Sequence, residues 1–356
     1  MDSLANISIS RRSWAYVDIA LLLLLSSVQH SSQSHHAVRE VVERANSYGP
    51  FIGLVMAYST EEMALQSSGL FIPSKGVPFV DLSGRRFHIG TISDVDVIFV
   101  MSGQRRLNAG ITVQILIDLF DIRGIVHYGT AGSANDSLSF GDVSIPKFVA
   151  FTGSWKWTKF NKSEGGQLTE LMFAAYNLPA EGENLLSRVE FKPEELLSVN
   201  HTMEEVFWLE INRVWLQAAG KLQGLELQRC ANETYCLPYT PKVVLGLKGS
   251  TADVFVDNAA YRNFLFKSFQ VSTVDEESAA VVMTCMSSGV PAIVFRGVSD
   301  LAGGEETWSS TELSSLAATN ALTVAVEFVR LIGKESGIDH KQSGDSPHGL
   351  KSWRNG

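Results

Sequence analysis

Short apolar runs closed by glycine, serine or acidic residues recur along the chain, and most are followed by residues with helical spacing. Phe51-Ile-Gly-Leu-Val-Met-Ala57 is the first, read as a strand. Behind it Ser59, Thr60, Glu61 and Glu62 carry oxygens that satisfy free N–H groups in a helix's first turn. Val95 to Met101 repeats the strand pattern, breaks at Ser102-Gly103, and gives way to a helical pattern from Leu107 to Phe120. Gly124 to Tyr128 predicts a further strand that runs into a small-residue turn, Gly129-Thr-Ala-Gly132, suited to close backbone approach to a ligand.

The stretch from Phe140 to Trp157 is hairpin-like, and residues 161–241 read as a long surface excursion. Within it, Thr202 to Leu222 predicts a helix capped by Thr202 with Glu205 three residues on. After Pro241 come a strand at Val243 to Gly246, a loop from Lys248 to Asp253, and a helix from Asn258 to Phe269. The acidic run Asp275-Glu276-Glu277 then opens an apolar helix that ends at Gly289, and Pro291 to Asp300 forms a buried-type strand. A last amphipathic helix runs from Thr311 to Ile332, opened by Ser310 and stopped by Gly333.

Alternating strands and helices predict an α/β fold, a mostly parallel or mixed central sheet with helices on both faces. One domain spans 45–333, with an elaboration at about 158–241 and a loose polar tail at 334–356. Residues 1–35 read as a secretory leader: Arg11 and Arg12 precede the apolar run Ile19 to Leu25 and a serine-rich flank. That run is well short of the ~20 residues needed to span a bilayer, so no stable membrane span is expected.

Composition narrows the partners. A net charge of −9 argues against nucleic acid, because binders that track phosphates present a basic face. No His/Cys spacing matches a zinc site, and neither a metal nor a cofactor is expected. Asn135, Asn161, Asn200 and Asn232 each begin an Asn-x-Ser/Thr triplet, an N-glycosylation signal that suits the secretory route to the cell exterior or vacuole. Cys230 and Cys236 are close enough to close a disulfide loop in such a compartment, while Cys285 lies in an apolar helix as a buried thiol.

Ligands of open α/β sheets bind at the strands' carboxyl ends. Glu61, Ser102, Thr130, Ala131, Gly132, Ser299 and Asp300 would approach that edge, with Val254 and Phe255 as an apolar wall. Glu61 could activate water there, and Asp300 could act as an acid. Adjacent acids repel, so one of Asp275, Glu276 and Glu277 should face the pocket while the others face solvent or a partner subunit. Each carboxylate also has a plain reading, as a first-turn or capping group.

The Gly53-to-Glu61 start, Gly129-Thr-Ala-Gly132 with Gly141-Asp-Val, Val274-Asp-Glu-Glu277, and Arg296-Gly-Val-Ser-Asp300 together resemble the nucleoside phosphorylase and nucleosidase superfamily. Within it the chain resembles the methylthioadenosine/S-adenosylhomocysteine nucleosidases, and more so the plant branch that includes bark and vegetative storage proteins. The resemblance covers Tyr48 to Ile332. It implies a three-layer fold and a homodimer that binds a purine nucleoside. It also implies cleavage of the N-glycosidic bond, with water or phosphate as co-substrate. By resemblance, Glu61 activates the nucleophile, Asp300 protonates the base, Glu277 holds ribose hydroxyls, Val254 and Phe255 wall the base, and Ser299 sits beside it.

Four positions depart from the family pattern. Arg105 stands where a second glycine is usual, Glu276 replaces a methionine under the ribose, and Ser59-Thr60 replace acidic residues. Arg105 would either obstruct the nucleophile site or offer an anion contact. A storage protein of the same fold with little or no catalysis is the alternative reading, and a nucleoside- or cytokinin-binding module is a third.

Overall fold

The computed structural model describes residues 38–158, 169–172, 188–198, 202–303 and 310–342. The leader, Asn161, Asn200 and the tail beyond Gln342 lie outside the described residues. A helix over 38–46 (α1) leads into β1 (Phe51–Met56), all six residues of which are buried. A strand covered on both faces reads as a continuous apolar run, which is why the pattern was legible. Helix α2 (Ser59–Ser68) follows, and β2 (Phe71–Pro73), β3 (Phe79–Leu82), β4 (Arg85–Ile92) and β5 (Val95–Met101) pair antiparallel with one another around β4.

Helix α3 (Arg106–Leu119) returns the chain to β6 (Ile122–Ser133), and β1 lies between β5 and β6, parallel to both. Next come β7 (Val143–Phe151) and β8 (Trp155–Trp157). They do not form the expected hairpin. Strand β8 joins β9 (Glu170–Met172) and β10 (Arg188–Phe191) in a separate small sheet, while β11 (Glu194–Leu196) pairs only with β12 (Glu204–Val206). Strand β13 (Leu209–Glu210) rejoins the main sheet beside β7.

No helix spans Thr202 to Leu222. Phe207 and Trp208 pack edge to face at 5.2 Å, and Phe207 lies 5.3 Å from Phe269, which holds this segment extended. Helix α4 (Arg213–Ala219) begins only after Asn212, whose side chain accepts from Trp215 N. Nor is this end of the excursion a surface addition: Trp215 packs 5.3 Å from Phe328 in the main core.

Strand β14 (Val243–Thr251) runs through the predicted loop, because Gly249 to Thr251 pair with β15 (Thr273–Asp275) beyond α5 (Ala259–Phe269). Helix α6 (Ser278–Ser288) opens after Glu277 and ends on left-handed Gly289. Strand β16 (Ala292–Leu301) then pairs parallel with β6 and antiparallel with β7. The pairings β6–β16–β7–β14–β15–β6 close on themselves, so this part of the eleven-stranded mixed sheet curls into a small barrel.

Helix α7 (Ser310–Gln342) runs through the predicted stop at Gly333, extending the helix into the expected loose tail. That glycine lets the helix lie close to the sheet, since a Cβ there would fall 2.3 Å from Val95 Cγ2. Its Thr311–Lys334 stretch is long and apolar enough to cross a membrane, yet 67% of its most apolar window is buried within the protein. Helices α2 and α7 pack together, as do α3 and α6, which gives the sheet its helical layers.

Candidate active site

The cavity at the strands' carboxyl ends holds about 380 Å³. It lies between the α2 amino terminus, the ends of β6 and β16, and the Asp275–Glu277 segment. Of the residues singled out from the sequence, Glu61, Thr130, Ala131, Gly132, Phe255, Glu276, Glu277, Ser299 and Asp300 line it. Ser102 and Val254 do not. The Ser102 hydroxyl is folded back to donate to Gly103 O at 2.8 Å, and Val254 lies on the exposed flank of its loop.

Glu61 is no solvated first-turn carboxylate, being buried to 2% exposure. It occupies the third position of α2 and accepts from Tyr58 N at 3.0 Å, half of a capping box. The same oxygen accepts from Ala57 N at 2.8 Å, while the other accepts from Thr130 N at 2.7 Å. The carboxylate thereby bridges α2 to β6. A Cβ at Gly129 would meet Glu61 Oε1 at 2.4 Å and Arg296 Nη1 at 2.5 Å, so the expected turn is instead a strand segment stripped of side chains to seat charged groups.

Asp300 is placed by a register shift between β16 and β6 at Ser299, where Val298 pairs with Ala131 and Asp300 with Gly132. Such a bulge re-aims the side chain that follows it. The Ser299 hydroxyl donates to Asp300 Oδ1 at 2.7 Å, and a Cβ on Gly132 would come within 2.9 Å of Asp300 Oδ2.

The three adjacent acids do not split between pocket and solvent: all line the cavity, and a buried arginine absorbs the repulsion. Arg296 is 1% exposed, with Nη2 3.1 Å from Glu277 Oε2 and Nε 3.2 Å from Asp275 Oδ2. Burial works to raise the Asp275 pKa, but the Arg296 charge and hydrogen bonds from Ser278 and Thr251 outweigh it and hold the carboxyl below its ordinary value. Burial pushes Glu277 up to about 7, against the opposing pull of Arg296. Burial likewise raises Glu276, which lies 3.9 Å from the Arg105 guanidinium.

Beneath them sits His127, fully buried, with Nδ1 3.0 Å from Val55 O and Nε2 2.5 Å from Arg296 Nη2. A carbonyl requires a donor and a guanidinium an acceptor, so the ring is neutral with its proton on Nδ1. Burial and the neighbouring Arg296 charge push its pKa down to about 3, in agreement. Sequence reasoning missed His127, although a histidine inside an apolar strand beside a second strand carrying a lone arginine was the available signal. Arg105 neither plugs nor lines the cavity. Its side chain is largely exposed, and its backbone N–H donates to Glu277 Oε1 at 2.9 Å.

Residues 51–330 match the model of the phosphorylase superfamily. The chain belongs to that superfamily. Bark storage protein A of Populus deltoides is 41% identical over 283 residues, 79% of this chain and 88% of the relative. A 5'-methylthioadenosine/S-adenosylhomocysteine nucleosidase of Halalkalibacterium halodurans is 25% identical over 69% of this chain and 86% of its own. Among solved structures, the Helicobacter pylori nucleosidase of that name superposes with a TM-score of 0.54 at 20% identity, covering 81% of this chain and 99% of the other. At that identity the likeness is one of fold, and it agrees with the mixed sheet flanked by helices.

Proposed function

We propose that this phosphorylase-superfamily chain binds a purine nucleoside in the cavity and hydrolyses its N-glycosidic bond. The observation that carries the reading is the convergence of Glu61 and Asp300, far apart in sequence, on one cavity that Glu277 also lines. An Asp300 proton delivered to the departing base would remove its negative charge, while carboxylates near the sugar stabilise an oxocarbenium-like transition state. In this reading Glu61 accepts a proton from the attacking water.

Water is favoured over phosphate by charge. The cavity lining contains Glu61, Asp275, Glu276, Glu277 and Asp300 and, among the described residues, no lysine or arginine. The lining thus offers a phosphate dianion carboxyl groups and, among the described residues, no lysine or arginine to pair with. The test is release of free base from methylthioadenosine, adenosine and inosine, with and without phosphate. Hydrolysis without phosphate is expected, and Asp300→Asn should lower turnover by about 10²- to 10⁴-fold, the usual worth of a positioned acid. Wild-type turnover in that variant refutes the acid role, and strict phosphate dependence refutes the choice of water.

The second reading is a storage protein that keeps the fold without turnover, in the secretory route to vacuole or cell exterior. The 41% identity to a bark storage protein favours it. Absence of base release from any substrate under either condition, together with no saturable nucleoside binding by calorimetry, would decide for it. A homodimer that covers the exposed apolar residues Leu107, Val254 and Phe255 is proposed with either reading.

A further inference from the structure

Two Asn-x-Ser/Thr triplets fall within the described residues, and their surroundings differ. Asn135 is half-buried where β6 ends. Its Nδ2 donates to Ser272 Oγ at 3.2 Å, Ala134 N donates to Ser272 O at 2.9 Å, and Asp136 reaches Arg262 at 3.3 Å. The Asn135 nitrogen thus lies in the contact between two segments of the folded core. A sugar attached to it would stand in that contact.

Asn232 is exposed and lies inside the loop closed by the Cys230–Cys236 disulfide. The loop is held at its neck by Ala231 N donating to Tyr235 O at 2.8 Å and Leu237 N to Arg229 O at 2.9 Å. Beneath it Leu237, Leu313 and Leu316 form a small core against which Ala231 and Tyr239 pack. The Asn232 carboxamide is oriented by its oxygen, which accepts from Thr234 N at 3.0 Å, Thr234 Oγ1 at 2.8 Å and Tyr235 N at 2.9 Å. All three donors take the oxygen side. Nδ2 makes no hydrogen bond among the described residues, and the hydroxyl of the triplet already touches the same amide.

We propose that Asn232 carries an N-linked glycan and that Asn135 does not. The asparagine nitrogen displaces a polyprenyl diphosphate from the anomeric carbon of an oligosaccharide donor: an N–C bond forms, the C–O bond to the diphosphate breaks, and Nδ2 loses one proton. Transfer of this kind occurs in the secretory lumen, the compartment in which a disulfide also persists, so one loop bears two independent marks of the same environment. The assignment does not depend on the reading of the cavity.

The full chain produced in plant cells would be digested with trypsin, and the peptide Cys230–Lys242 weighed with and without reduction, before and after enzymatic release of N-glycans. A glycan on this peptide, a closed disulfide, and loss of the glycan in both Asn232→Gln and Thr234→Ala are expected. Asn135→Gln should leave the glycan pattern unchanged. An unoccupied Asn232, with the disulfide open or closed, overturns the assignment, and a glycan on Asn135 of the folded protein overturns its second half.

Discussion

At Arg105 the backbone adopts φ 76° and ψ 159°, a region open to glycine and resisted by any residue with a Cβ. The residue is held there by its N–H, which donates to Glu277 Oε1 at 2.9 Å, so an arginine occupies a glycine-type path. Strain of this kind costs about 1–3 kcal/mol, whereas the extra freedom of glycine in the unfolded chain costs about 0.5–1 kcal/mol. The side-chain pairing with Glu276 is long and exposed on the arginine side, and such pairs contribute little. Arg105→Gly should therefore stabilise the protein by about 1 kcal/mol, the balance of those two effects, with the Glu277 contact intact. Urea unfolding measures it, and a lower midpoint in the variant would show that the strain is not there to relieve.

Strands β6 and β16 carry the buried charge network, and their pairing gives the fold a signed dependence on pH. His127 has a folded-state pKa of about 3 against an ordinary 6.5, so between those values the unfolded chain holds a proton that the folded protein does not. The resulting stability is complete above about pH 6.5 and is lost as the pH falls towards 3. Glu277, raised to about 7, works the other way: its contribution is present below its ordinary value of 4.5 and lost as pH rises through 7. In His127→Gln the side chain can still donate to Val55 O and accept from Arg296 but cannot be protonated, so the acid-side slope of stability against pH should fall by one proton. An unchanged slope would mean that His127 does not titrate in this window. Truncating the cation is a harsher change: Arg296→Met leaves Asp275 and Glu277 without their partner and should cost about 3–5 kcal/mol by chemical denaturation. The same strands show what could be read beforehand. Apolar runs such as Phe51 to Met56 announced themselves because both their faces are buried, and the carboxylates fell at strand ends where ligands gather. Gly129 to Gly132 read as a turn because glycine marks turns, but it is strand, and the close approach its glycines permit includes that of Glu61 and Arg296. Residues 202–222 misled because aromatic contacts from α5, remote in sequence, overrode a local helical spacing.

For the whole molecule, the charge of −9 and the apolar residues around the cavity mouth act together. Arg106 pairs with Asp253 at 2.8 Å and ties the first turn of α3 to the 253–255 loop. On these two segments Leu107 is 72% exposed, Phe255 74% and Val254 46%. Phe255 also lines the cavity, so one wall of the site is left open to solvent. Exposed large apolar residues on neighbouring segments mark an interaction surface, and a second copy of this chain would cover them while closing that wall. The acidic remainder of the surface would limit further association through mutual repulsion and favour a closed pair over larger assemblies. Sedimentation of the full chain should give a dimer, and Leu107→Glu should shift it to monomer with weaker nucleoside binding and unchanged secondary structure. A monomeric wild type would remove the dimer, and a dimeric variant with full binding would place the subunit contact on another face.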